Sequence, residues 1–231
     1  MLRIGGFTPL STSDWPGMLA AVVFCQGCPW RCRYCHNPAL IPIHGERPLH
    51  WPSILQFLRR RRGLLDAVVF SGGEPTLQAG LEDALHEVRA LGFKIGIHTA
   101  GMYPRRLQAI LKLVDWVGMD VKAPFVDYYR ITGVPNSGSD VRDSLALLIA
   151  SEAAYEVRTT VHSALLDEEQ VQTLANDLSK RGVKHYVIQA FRSQGCRDDE
   201  LRKSAHVCEG PLTSMAQAIS SQFASFALRT R

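Results

Sequence analysis

Ala20-Ala21-Val22-Val23-Phe24-Cys25-Gln26-Gly27-Cys28-Pro29-Trp30-Arg31-Cys32-Arg33-Tyr34-Cys35 runs an uninterrupted apolar segment straight into a loop of clustered cysteines. Continuous apolar character over six residues, without alternation, is the mark of a strand buried on both faces of a parallel sheet. Five more segments read the same way: Ala67–Phe70, Ile95–His98, Trp116–Val121, Val157–Val161 and Tyr186–Gln189. Helical periodicity separates them. Leu77, Leu81, Leu85 and Val88 share one face, as do Leu107, Ile110, Leu111 and Val114, then Val141, Leu145, Leu148 and Ile149, and finally Val171, Leu174 and Leu178. Asp167 followed by Gln170 reads as a capping box, and Gly63, Gly92 and Gly182 fall where helix C-caps belong. Strands alternating with helices imply right-handed crossovers and one parallel sheet. Eight such units take about 250 residues, more than remain once the first fifty, read as loop, are set aside. The expectation is therefore an α/β chain folded as an incomplete (β/α)6 barrel of TIM type, in a single domain spanning 1–231. A final amphipathic helix is expected over about 211–229, with Met215, Ile219, Phe223 and Phe226 on its apolar stripe.

The chain has 231 residues, 46% hydrophobic and 21% charged, enough apolar material for a full core. Its 26 basic and 22 acidic residues leave a net charge of +4. No basic stripe of the kind that binds nucleic acid accompanies this surplus. The apolar run Met18–Cys25 is too short to span a bilayer, and the opening residues lack the apolar core and cleavage site of a signal peptide. A cytoplasmic protein with no membrane or nucleic-acid partner is expected.

Clustered thiols in a reducing compartment point to metal rather than disulfides. The loop 25–38 contains Cys28-x3-Cys32-x2-Cys35. Three thiolates on one loop each hold one iron of a cubane and leave the fourth iron open to a small molecule. This spacing, the aromatic Tyr34 before the third cysteine, and the position at a strand's C-terminal end resemble the radical S-adenosylmethionine enzymes. Ser71-Gly72-Gly73-Glu74-Pro75 after the second strand resembles that superfamily's glycine-rich turn, where missing side chains let backbone approach a ligand. Gln26-Gly27-Cys28 and Cys35-His36-Asn37-Pro38 look like the cluster loop of glycyl-radical activating enzymes. Ile4-Gly5-Gly6-Phe7-Thr8-Pro9 and Asp14-Trp15-Pro16-Gly17 are similar to the opening of anaerobic ribonucleoside-triphosphate reductase activating proteins.

The resemblance implies that Cys28, Cys32 and Cys35 ligate a [4Fe–4S] cluster and that S-adenosyl-L-methionine chelates the open iron. Gly72, Gly73, Glu74 and Pro75 would hold its amino group and Thr99 would join the binding site. In Asp120-Val121-Lys122, Lys122 would offset the methionine carboxylate while Asp120 contacts the ribose or a cation. Arg158 would line the barrel, Tyr34 and His36 would flank the adenine, and Arg192 aligns with a cofactor-contacting His. Cys28, Cys32, Cys35, Lys122 and Arg158 would form the catalytic set. The implied activity is reductive cleavage of S-adenosylmethionine and abstraction of a hydrogen from a glycine of a partner enzyme, with electrons from a flavodoxin- or ferredoxin-type donor. The partner implied is anaerobic ribonucleoside-triphosphate reductase. Pyruvate formate-lyase-type activases carry an acidic residue at the position of His98, where it helps to bind a monovalent cation; His98 argues against that cation here.

Other readings compete at several positions. Cys25 reads as a small buried hydrophobe; were it a fourth ligand, the loop would instead be a closed four-cysteine zinc or electron-transfer module. Other glycyl-radical partners and small-molecule radical chemistry share the same loop. Cys196 and Cys208 read as surface-loop residues, Arg59–Arg62 as a solvated helix end, and His162 as either structural or functional.

Overall fold

The computed structural model describes residues 2–46, 49–204 and 209–230. Eight strands form one sheet in sequential order: β1 Ile4–Ser11, β2 Ala20–Cys25, β3 Ala67–Gly72, β4 Lys94–Thr99, β5 Trp116–Asp120, β6 Ala154–Val161, β7 His185–Ala190 and β8 Ser225–Arg229. β2 to β8 run parallel, and β1 joins antiparallel to β2. The helices are α1 Trp51–Arg59, α2 Leu81–Ala90, α3 Pro104–Ile110, α4 Tyr129–Thr132, α5 Ser137–Ile149, α6 Glu168–Lys180, α7 Asp199–Lys203 and α8 Glu209–Ser220. Among the described residues β1 and β8 are not paired with each other, so the curved sheet is a partial TIM-type barrel. No helix among them is long and apolar enough to cross a membrane.

Alternation along each strand divides the core in two. Ala21, Val23 and Cys25 of β2 and Val68 and Phe70 of β3 face outward, against Leu58 of α1 and Leu85 and Val88 of α2. Ala20, Val22, Ala67, Val69 and Trp116 face inward around Trp15. The indoles of Trp15 and Trp116 stack 5.4 Å apart and plug the barrel below its C-terminal mouth. Gly96 on β4 makes room for this plug: a Cβ there would lie 2.8 Å from Trp15. Above the plug the inward positions turn polar, which leaves a cavity at the end where barrel active sites assemble.

All six expected strands are present, and the sheet has two more. Residues 4–11, expected as loop, form β1; two glycines, a proline and two register shifts disguise its apolar alternation. The expected helix over 211–229 stops at Ser220, and β8 follows. The free edge of β7 supplies the backbone partners that draw this segment into a strand. Phe226 and Leu228 pack on the outer core while Arg229, on the opposite face, enters the cavity. Phe223 is not on a helix either; it packs against Tyr186 with ring centroids 4.7 Å apart. The capping box of Asp167 and Gln170 forms as expected, and Gly92 and Gly182 take positive φ just past their helices. Gly63 also has positive φ but sits in a turn beyond the C-cap of α1, Arg60.

Candidate active site

The loop after β2 is held open by bonds to two other segments. Gly27 N donates to Leu40 O and Cys28 N to Ile41 O, while Arg31 N donates to Thr132 O and Arg33 N to Ile131 O. The buried Gln26 amide braces the turn beneath, donating to Ala39 O and Pro42 O. Cys28, Cys32 and Cys35 consequently line one cavity of about 490 Å³, together with Tyr34, His36, Gly72, Gly73, Thr99, Asp120, Lys122, Arg158 and Arg192. That volume is in the range of small-molecule and cofactor sites. Cys25 is not in the cavity: it is fully buried on the outer face of β2. A closed four-cysteine site is thereby overturned, because strand alternation points the first thiol away from the other three.

Among the described residues no three His, Cys, Asp or Glu side chains converge as a single ion requires. A cubane makes no such demand, since each thiolate takes a different corner. Burial pushes all three thiols up, Cys28 to about 12, while the Lys122 ammonium pulls each of them back down. Three thiols around one cavity, beside a cation that favours their thiolates, fit a [4Fe–4S] cluster with one iron left free of protein.

Gly72 and Gly73 are required by the packing of the two loops. A Cβ on Gly72, whose φ is +112°, would lie 2.5 Å from Cys25 N; one on Gly73 would lie 2.3 Å from Gly27 O. Gly73 N and Glu74 N donate to Cys25 O and Gly27 O, locking the turn onto the root of the cysteine loop. Glu74, Pro75 and Val121 do not line the cavity. The Glu74 carboxylate is fully buried and accepts from Thr76 N, Thr76 Oγ1, Thr99 Oγ1 and Ala100 N, so it ties the turn to the end of β4. Burial raises its pKa against the pull of those four donors.

A line of charges crosses the far wall. Arg158 Nε lies 2.9 Å from Asp120 Oδ1, and Lys122 Nζ 3.6 Å from Asp120 Oδ2. Arg158 reaches the inner wall because Gly118 has no side chain; a Cβ there would lie 2.8 Å from Arg158 Nη1. Burial works against the Asp120 carboxylate, but Arg158 and then Lys122 outweigh it and hold its pKa below the usual value. Burial likewise opposes the Lys122 ammonium, yet Tyr34 and Asp120 raise its pKa well above normal. Lys122 Nζ stands 5.5 Å from the centroid of the Tyr34 ring. Glu156 continues the line, pairing with Arg229 of β8 through two 2.8 Å bonds.

His98, on β4, packs edge-on against Trp116 with ring centroids 5.5 Å apart. Its Nε2 lies 2.7 Å from Asp14 O and its Nδ1 3.2 Å from Ser71 Oγ. Burial lowers its pKa to about 3, with Arg158 adding to the effect. The ring is neutral with both nitrogens engaged, and Asp120 beside it is matched by two cations. His36 bonds Arg192 O at 2.9 Å and stacks on Phe191. His162 is structural: it is fully buried, with Nε2 on Leu201 O and Nδ1 accepting from Ala164 N. Cys196 is buried beside Arg33 O rather than exposed on a loop, and Cys208 lies outside the described residues. Residues that sequence reasoning missed include Thr160 and Gln189, polar side chains near the ends of β6 and β7, and Arg229. The first two carried a signal, polarity at the C-terminal end of an apolar strand.

This arrangement has relatives. Residues 22–179 match the Radical SAM superfamily, and the chain belongs to that family. It is therefore an oxidoreductase-type enzyme of a family that works with a [4Fe–4S] cluster and S-adenosylmethionine. The chain is 30% identical to a Methanocaldococcus jannaschii protein provisionally described as a glycyl-radical enzyme activating enzyme, over 98% of this chain and 95% of that one. It is 35% identical to a pyruvate formate-lyase-activating enzyme of Clostridium pasteurianum, with 84% of each covered. Streptococcus suis SuiB, solved with S-adenosylmethionine, shares the fold at a TM-score of 0.63 and 14% identity. The match covers 89% of this chain and 48% of SuiB.

Proposed function

We propose that this chain is an activase that installs a glycyl radical on anaerobic ribonucleoside-triphosphate reductase, working in the cytoplasm with a flavodoxin- or ferredoxin-type electron donor. The observation that carries the reading is the convergence of Cys28, Cys32 and Cys35, the Gly72-Gly73 turn and Lys122 on one cavity from which Cys25 is excluded. When bound, the cluster and S-adenosylmethionine would supply the one-electron chemistry that removes hydrogen from a glycine α-carbon. Cys28, Cys32 and Cys35 would hold the cluster. Lys122 sets a fixed positive charge toward the methionine carboxylate, with its position determined by Asp120 and Tyr34. Tyr34 and His36 bound the adenine side, and the inner polar wall from Asp120 to Arg158 orients the ribose. The Trp15–Trp116 plug closes the floor against water.

The opening segments 4–9 and 14–17 favour the ribonucleotide reductase partner. The Clostridium relative favours a pyruvate formate-lyase-type partner as the second reading. Anaerobic reconstitution should load about four irons per chain. Cys25→Ala should keep them, whereas alanine at Cys28, Cys32 or Cys35 should lose them. The loaded protein is then mixed with each purified partner and a reductant, and the glycyl doublet is sought by electron paramagnetic resonance. A loaded cluster that forms no 5′-deoxyadenosine on reduction would sink the activity; a doublet with pyruvate formate-lyase alone would reassign the partner.

A further inference from the structure

The segment that follows β7 is fastened to the cysteine loop at both of its ends. Arg192 O accepts from the His36 ring at 2.9 Å, and the Arg33 guanidinium is held by Asp198 at 2.8 Å and Glu200 at 3.0 Å. Between these anchors Gly195 has φ +85° and lies so close to the loop that a Cβ would stand 2.3 Å from His36 O. A side chain has no room there. The next residue, Cys196, is buried with its Sγ 3.5 Å from Arg33 O. The two segments run past each other in opposite directions, Cys196 against Arg33 and Gly195 against His36. Cys35 and Cys196 therefore stand on facing stretches of backbone, and Cys35 feels the Cys196 thiol electrostatically. Their exposure differs. Cys35 lines both the main cavity and a second recess of about 360 Å³, whereas Cys196 lines neither.

We propose that Cys196 is a resolving thiol: when the cluster is absent it captures Cys35 as a disulfide, which closes the site reversibly and spares Cys35 from irreversible oxidation. The switch goes beyond the activase reading but presupposes, with it, that Cys35 is a cluster ligand. An accessible thiol beside a second, shielded one is the arrangement of redox-responsive cysteine pairs. Bridging needs Cα atoms within about 7 Å, a separation that backbones as close as those of Gly195 and His36 can supply. Hydrogen peroxide entering by either opening meets Cys35 first. Attack by the Cys35 sulfur breaks the O–O bond and leaves the sulfenic acid and one water. The Cys196 sulfur then attacks that sulfur, forming the S–S bond and releasing a second water. Two thiols lose two electrons and two protons, and one peroxide becomes two waters. With the cluster in place the Cys35 sulfur would be bound to iron and not free to react. Cys32 is the competing partner, but it lines the same two openings as Cys35 and is oxidised from the same side instead of being held in reserve.

Hydrogen peroxide is the probe and the full chain is the target. The metal-free protein is treated with a small excess of peroxide, its remaining thiols are alkylated, and its tryptic peptides are mapped by mass spectrometry without reduction. The peptide Ser193–Arg197 should be found joined to the one that begins at Tyr34. Iron-loaded protein should show no such link until its iron is lost. Cys196→Ser should abolish the link and let Cys35 go on to the sulfinic acid. After dithiothreitol the parent should take up about four irons again, and Cys196→Ser should not. Cys208→Ser should match the parent in both measurements. A link from Cys35 to Cys32 or Cys208 in place of Cys196, or equal recovery of iron by the parent and Cys196→Ser, would overturn the switch. Should Cys196→Ser fail to fold, the peptide map of the parent alone decides. Failure of the never-oxidised parent to load iron would instead overturn the cluster reading, and the peptide map still decides this one.

Discussion

His98 makes the folding stability of this protein depend on pH in a way that can be isolated. Its imidazole is held neutral between Asp14 O and Ser71 Oγ, with a pKa near 3 instead of 6.5. Below about pH 6.5 the unfolded chain takes up a proton there that the folded protein refuses, so stability is lost as pH falls through the unfolded value. One pKa unit corresponds to about 1.36 kcal/mol. Between pH 6.5 and 5 the full effect would be roughly 2 kcal/mol, and access of cavity water reduces it to about 1. For a chain of this size 1 kcal/mol moves the thermal midpoint by about 2–4 °C. His98→Gln keeps a donor and an acceptor but does not titrate. Thermal unfolding of the metal-free protein at about pH 7.5 and about pH 5 is the assay. The midpoint of the parent should fall by about 2–4 °C more than that of the variant. Superimposable pH dependences would refute the argument, because they would mean that the folded protein protonates His98 as readily as the unfolded chain does.

Three further outcomes follow from the same wall. Gly118→Ala places a methyl group 2.8 Å from Arg158 Nη1 and Trp116; about 1–3 kcal/mol of stability should be lost, measured by denaturant unfolding, with weaker S-adenosylmethionine binding by equilibrium dialysis. Trp15→Ala removes the barrel plug, a buried indole stacked on Trp116, and should cost about 3–5 kcal/mol in the same unfolding assay. Glu156→Gln deprives Arg229 of a bidentate partner and Arg158 of a neighbouring charge. The thermal midpoint should fall by about 3–6 °C, in keeping with about 1.5 kcal/mol for a charged hydrogen bond, measured by thermal unfolding at neutral pH.

The sequence was most readable where one residue's environment is local. Apolar runs identified the six inner strands because a strand covered on both faces leaves no room for polar side chains. The cysteine spacing marked the cluster loop because ligand reach is fixed by a few bonds. Glu74 shows where this stops. Its place in the turn was legible, but its work, bonding the end of β4 through Thr99 and Ala100, joins residues that only the sheet brings together. Gly72 and Gly73 were expected to admit a ligand, yet the space for a Cβ is filled by Cys25 and Gly27. β8 escaped because a short segment after a helix carries no periodicity long enough to separate strand from helix.

By itself, then, the order of residues determined that an α/β barrel presents three cysteines and a glycine turn at the ends of neighbouring strands, since each of those features is written in a span of a few positions. Only the tertiary structure decided that Cys25 turns away, that Asp120 is shared by Arg158 and Lys122, and that Arg229 comes in from the last strand to complete the wall. Strand alternation and long-range ion pairs depend on which chain segments become neighbours, a property of the curved sheet that no local stretch contains.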